Sequence, residues 1–270
     1  MAYNIGWGTK HPGYLVWLVD LSESMNQKID YVLDSITESC DELTKVCSPY
    51  GKILNRMSIH IIGYNSEVFT LFKGSVIDLD ARLEETHPSA IFDKTKEAKP
   101  QWQTYTTKAV QEATKSVKEW IGQQSAKGIP MPVPIVIHIT DGYPFEEENR
   151  PDQSVSRNKA LAAIKELKEI SVPDGSLLFF NIHIGAGKDP IRLPTQRPTD
   201  TERAYLFDAS SVMPDIFIKK AQLLGFSDAK ENSRFMVSNE TDKRLLTRLI
   251  IFGSTLVSDV TPYDEQAKPS

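Results

Sequence analysis

A chain of 270 residues with 40% hydrophobic content can bury a substantial core and is expected to form one elaborated domain rather than two. Its net charge of −5 and isoelectric point near 5.6 argue against nucleic acid or an anionic membrane as a partner. No basic-then-apolar leader opens the chain, and no apolar run approaches the roughly 20 residues a membrane span requires, so a cytoplasmic protein is expected.

In chain order, the first informative stretch is 14–19, Tyr-Leu-Val-Trp-Leu-Val. A short apolar run rich in β-formers predicts a strand buried on both faces. It ends at Asp20 and continues Leu21-Ser22-Glu23-Ser24-Met25. Apolar residues at 29, 32, 33, 36, 40 and 43 then predict a helix with one buried face. A carboxylate and two hydroxyls therefore sit in a turn between strand and helix. Oxygen donors alone suit a hard cation such as Mg²⁺, whereas a zinc site would call for thiol or imidazole. Cys40 and Cys47 are two helical turns apart, about 10 Å of rise, beyond the reach of a mutual disulfide. Free thiols fit a reducing compartment.

Ser48-Pro49-Tyr50-Gly51 marks a turn. Residues 57–64 predict a second buried strand, and 68–72 a short antiparallel edge strand after Asn65-Ser66. Residues 74–103 show no sustained period and are expected to be a surface connector. A helix is expected over 106–123, a buried strand over 135–140 followed by Asp141-Gly142, a helix over about 154–170 and a strand over 177–185. A long loop with three prolines runs to about 203. A short extended piece at 205–208, a helix at 214–224, a strand at 234–237 and a helix at 241–257 complete the pattern. Strands alternating with helices imply an α/β fold, a doubly wound, mostly parallel sheet with one short antiparallel edge strand and helices on both faces. The expected organisation is a single domain over 1–258, with a loop insertion near 186–203, and a polar tail over 259–270.

In such sheets, sites form at the carboxyl ends of strands where the winding direction reverses. Two strands end in acids, at Asp20 and Asp141, and Gln103-Thr104-Tyr105-Thr106 stands directly before a helix. Asp20-Leu21-Ser22-Glu23-Ser24 resembles the Asp-x-Ser-x-Ser signature of the metal-ion-dependent adhesion site of the von Willebrand factor A family. Counting back from the small residue Ala109 selects Thr104 for the second loop of that pattern, and Thr140-Asp141-Gly142 fits the third. The resemblance covers about residues 12–257. It implies that Ser22, Ser24 and Thr104 offer hydroxyl oxygens and that Asp20 and Asp141 bind directly or through water. The ion would be Mg²⁺, Mn²⁺ or Ca²⁺. The last coordination position would be left for an Asp or Glu of a partner protein, and Gly142 would let the backbone turn close to the ion. The layout is similar to the bacterial stand-alone, tellurite-resistance-associated type. That likeness implies a kinase, phosphatase or ATPase encoded nearby as partner and a stress or defence role.

Two positions depart from the family pattern. Glu23 stands where glycine is frequent, and it is expected to point to solvent at a helix N-terminus. Trp102-Gln103 replaces Gly-Gly, and Trp102 is expected to pack as a lid on the sheet rim rather than face a partner. Ile-His-Ile recurs at His60, His138 and His183. Hydrogen-bonded core histidines are expected, because the strand order that the resemblance implies places His60 and His138 two strands apart, roughly 10 Å, whereas zinc ligands lie near 2 Å from the ion. The run Glu146 to Glu148 reads as a solvated loop. Gly185-Ala186-Gly187 is too short to cradle a phosphate. A binding module without catalysis is expected. The alternatives are a Mg²⁺-dependent phosphotransferase of the haloacid dehalogenase type, which needs a second Asp where Ser22 stands, and a metal-free scaffold.

Overall fold

The computed structural model describes residues 3–49, 51–86, 89–146, 152–185 and 189–254. The first strand, β1, spans Gly13–Asp20 and is buried at every position. A 3-10 turn over Glu23–Gln27 leads into α1, Ile29–Val46, whose buried Ile29, Val32, Leu33, Ile36, Cys40 and Leu43 form the expected stripe. Next come β2, Met57–Tyr64, and β3, Val68–Ser75, which pair antiparallel. The chain continues through α2, Val76–Thr86; α3, Thr106–Ala126; β4, Ile135–Thr140; and α4, Gln153–Lys168. Strands β5, Ser171–Val172, and β6, Gly175–Ser176, pair only with each other. The last elements are β7, Leu178–Ile184; β8, Ile191–Arg192; α5, Thr201–Ala209; α6, Asp215–Leu223; β9, Met236–Glu240; and α7, Lys243–Ser254.

Seven strands form one sheet in the order β3-β2-β1-β4-β7-β9-β8. The five inner strands are parallel, and β3 and β8 run antiparallel at the two edges. Alternate residues of β1 serve opposite faces. Leu15, Trp17 and Val19 join the core shared with α1, α6 and α7, while Tyr14, Val16 and Leu18 join that shared with α3 and α4. Because helices cover both faces, nothing along the strand has to be polar until its end. Full burial of each of these larger side chains contributes about 1.5–3 kcal/mol.

Several elements differ from the sequence expectation. Residues 74–103 are not merely a surface connector. Asp78 Oδ2 accepts from both the amide and the hydroxyl of Ser75 at 2.7 Å, and Ser75 Oγ accepts from the Asp78 amide at 3.3 Å. This reciprocal cap starts α2, which buries Val76 and Leu79. Farther along, Ile91, Phe92 and Ala98 are fully enclosed in the core. The piece at 205–208 is helical rather than extended: Asp200 caps α5 by accepting from the Arg203 amide at 3.0 Å. In the stretch read as a loop insertion, residues 186–188 lie outside the described residues. Beyond them β8 adds a second antiparallel edge, pinned by Arg192 Nη2 to Glu240 Oε2 at 2.8 Å. The final helix reaches Ser254, and the tail lies outside the described residues, as do Glu147 and Glu148. Among the described residues no helix is long and apolar enough to cross a membrane.

Cys40 and Cys47 are free and buried, and desolvation raises both thiols, Cys47 to about 12. His60 and His138 are core residues, whereas His183 is only part-buried, its Nδ1 accepting from the Asn239 amide at 3.2 Å. His60 contacts Ser116 Oγ at 2.7 Å and Thr70 Oγ1 at 2.9 Å. His138 lies 2.6 Å from the Tyr64 hydroxyl and 2.9 Å from Asn181 Oδ1. No metal-holding cluster of His, Cys, Asp or Glu forms among the described residues. Burial lowers both His60 and His138 to about 4, with the charge of Lys73 adding to the effect at His60. The folded state therefore binds fewer protons than the unfolded state between pH 6.5 and 4, and stability is lost as pH falls through that window. His60→Gln removes one such proton. Whatever the substitution costs at pH 7.5 should shrink as pH is lowered from 6.5 to 4, as measured by urea denaturation. A cost independent of pH would refute the assignment.

Candidate metal centre

The chain leaves β1 through α1 to reach β2 on one side, and returns through α2 and α3 to β4 on the other. The winding therefore reverses between β1 and β4, and their connections separate to leave a crevice at the carboxyl ends. Asp20 is the last residue of β1 and Asp141 follows the last residue of β4, with Val19 paired to Ile139.

Asp20 has no exposed surface. Its Oδ1 accepts from the Ser22 amide at 2.8 Å, and its Oδ2 accepts from the Thr140 hydroxyl at 2.6 Å. Burial pushes this carboxyl up to about 6; the hydrogen bonds from Thr140 and Ser22 pull the other way, and the charge of Asp141 adds to the rise. Ser22 Oγ lies 3.1 Å from Ser24 Oγ, and Ser24 Oγ donates to Asp141 Oδ1 at 2.7 Å. Lys28 Nζ donates to Asp141 Oδ2 at 2.5 Å.

Backbone bonds bring the three loops together. The Thr104 amide donates to Phe145 O at 3.1 Å and the Phe145 amide returns a bond to Thr104 O at 2.9 Å. The Gln101 amide donates to Leu21 O at 2.9 Å, and the Glu23 amide to Trp102 O at 3.2 Å. Thr104 thus stands in the wall of an open cleft of about 600 Å³ shared with Ser22, Ser24, Trp102, Gly142 and Tyr143. All five residues selected from sequence meet at this rim, four of them in one hydrogen-bonded run. Three neutral hydroxyls and two carboxylates are an all-oxygen donor set that fits a hard divalent cation. Moreover, among the described residues no cation pairs with the buried Asp20.

Two contributors escaped the sequence reading. Thr140 was readable as a hydroxyl at the last position of a strand beside β1, but pairing Thr140 with Asp20 requires the strand order. Lys28 was readable as a cation four residues after Ser24, although its partner is 113 residues away. Other expectations resolve individually. Glu23 is exposed, as expected. Glu146 is buried, not solvated: its amide donates to Ser156 Oγ at 3.2 Å and its carboxylate lies 3.7 Å from Lys159. Gly142 has no positive φ, and an added Cβ there meets nothing within 4 Å, so the turn does not require glycine.

The reversed sheet and the crevice at its switch point define a class, the doubly wound, Rossmann-like α/β fold. Among solved structures the chain is similar to proximal thread matrix protein 1 from the mussel byssus, with 15% identity and a TM-score of 0.50, covering 91% of this chain and 48% of that one. It is also similar to the manganese-loaded TRAP protein of Plasmodium vivax, with 19% identity, a TM-score of 0.42 and coverage of 64% and 58%. For von Willebrand factor type A from Catenulispora acidiphila the values are 12%, 0.41, 65% and 34%. The first of these likenesses shows the fold. The chain spans between 34% and 58% of the length of these proteins. No protein-family model and no curated protein matches it.

Trp102 is not the packed lid expected from sequence. It is 65% exposed and holds φ at +62°, a left-handed conformation unfavourable for a bulky residue. The bonds from Gln101 to Leu21 and from Glu23 to Trp102 clamp the backbone on either side of it. Glycine adopts this conformation without the Cβ clash, which costs other residues about 1–2 kcal/mol. Trp102→Gly should therefore be more stable than Trp102→Ala by about 1 kcal/mol in chemical denaturation. If the alanine variant is equally or more stable, the strain is not real.

Proposed function

We propose that the protein is a non-catalytic module that binds a partner protein through a divalent cation held by Asp20, Ser22, Ser24, Thr104 and Asp141. The observation that carries this reading is the hydrogen-bonded run from Asp20 through Ser22 and Ser24 to Asp141, whose two serines share one cleft with Thr104. The three hydroxyls add oxygen ligands without adding charge. A bound Mg²⁺, Mn²⁺ or Ca²⁺ keeps residual positive charge in such a set, and an Asp or Glu of the partner satisfies it. The Ser22 and Ser24 hydroxyls bond each other and Asp141 rather than a histidine, which supports binding over nucleophilic chemistry.

The partner in this proposal is a kinase, phosphatase or ATPase encoded nearby, and the setting is bacterial stress response or defence in the cytoplasm. The first part rests on the sequence layout, which resembles the tellurite-resistance-associated type. The compartment is supported by two buried, unpaired thiols.

Calorimetry and thermal unfolding with Mg²⁺ and Mn²⁺ test the centre. A ligand at 100 times its Kd stabilises the folded state by about 2.7 kcal/mol. Ser22→Ala and Asp141→Ala should each lose at least about tenfold in affinity, with an unchanged circular dichroism spectrum. No heat and no stabilisation in the wild type would leave only a structural role. Phosphatase assays with Mg²⁺ should show no turnover; turnover that disappears in Asp20→Asn would establish the enzyme instead.

A further inference from the structure

Lys28 occupies a position that local helix physics disfavours. It is the residue before the first turn of the 18-residue α1, where Ser, Thr, Asp or Asn would cap the free amides and where a cation opposes the helix dipole. Its side chain makes no capping bond there. Its backbone is fixed by donating to Met25 O at 2.8 Å, and its ammonium reaches out of the helix to Asp141 Oδ2 at 2.5 Å. The Asp141 side chain is fully buried and that of Lys28 is 30% exposed. Ser24 holds the other carboxylate oxygen. Within the ordered rim, the charge of Asp141 is thus answered by a cation tethered to this same chain.

From this we propose that Lys28 is a built-in rival of the divalent ion for Asp141, lowering metal affinity and so setting the concentration at which the centre loads. The proposal rests on the metal-dependent reading above. An ion held at Asp141 shares the carboxylate with a positive charge a few ångströms away, in surroundings where such repulsion is weakly screened. Either the ammonium gives way into solvent, which its partial exposure permits, or both cations remain and repel. Both routes cost metal affinity. A neutral side chain of similar length removes the cost, while arginine preserves the charge.

The test titrates the full chain with Mn²⁺ alone, by calorimetry and by thermal unfolding, in wild type, Lys28→Met and Lys28→Arg. Lys28→Met should bind Mn²⁺ about tenfold or more tightly, and Lys28→Arg should stay near wild type. In EDTA, Lys28→Met should melt below wild type because Asp141 loses its ion pair, and Mn²⁺ should raise its melting temperature by more than it raises that of wild type. Equal or weaker Mn²⁺ binding by Lys28→Met, with wild type binding normally, would overturn the role of Lys28 and leave the metal centre standing. Failure of both wild type and Lys28→Met to bind Mn²⁺ would overturn the centre and this proposal together. Binding by Lys28→Met with none by wild type would uphold Lys28 as the rival of the ion and overturn the proposed function, because the wild-type centre would not load.

Discussion

The buried carboxyl of Asp20 is the constraint on which the rest of the rim depends. β1 is covered on both faces, so its end has no access to water except through the crevice where neighbouring connections part. A carboxyl in that position must be met by donors from its own surroundings. The Ser22 amide and Thr140 hydroxyl supply them, one from the turn that follows and one from the adjacent strand. The first of these bonds shapes the turn before α1. The second ties β4 to β1 at the height where Asp141 leaves the sheet.

Around this pair, the loops are joined mainly through backbone atoms. Leu21 donates to Tyr64 O at 2.7 Å and accepts from Gln101, while Tyr105 donates to Asn65 O at 2.9 Å. Each bond joins residues far apart in sequence, and each leaves the hydroxyl and carboxyl side chains available to the cleft. The entropy of ordering the second loop is thus met largely in folding rather than at the moment of binding. The left-handed backbone of Trp102 belongs to the same arrangement: it is held from both sides, so the residue that carries the exposed indole is anchored at the cleft.

The sheet was legible because its central strands are apolar on both faces and the helical stripes between them keep a clear period. Met57–Tyr64 and Ile135–Thr140 fall where the residues place them. Helix α2 was harder to read because its β-branched Val76 and Ile77 directly continue the edge strand, although the Ser75–Asp78 cap was visible as a local signal. β8 could not be read, since two residues carry no periodicity and their pairing with β9 is a tertiary fact. The site divides similarly. Asp20, Ser22, Ser24, Thr104 and Asp141 could be selected from strand ends together with a family resemblance, whereas Thr140 and Lys28 acquire their partners only when strands and turns are assembled. Trp102 was misjudged for a related reason: hydrophobicity predicts burial on average, but a backbone clamped on both sides can hold an indole in solvent.

The two acids of the rim are compensated in different currencies, and this difference makes them inequivalent. Asp20 is neutralised by dipoles alone, fully out of solvent, and burial raises its pKa to about 6. Asp141 has a full positive charge against one oxygen and a hydroxyl against the other. A hydroxyl or amide can remain in place beside an incoming cation, because carboxylate oxygens keep further lone pairs. An ammonium beside the same cation is repelled. The arrangement therefore makes Asp20 the acid whose environment improves with added positive charge, and Asp141 the acid at which that charge meets opposition from the chain itself.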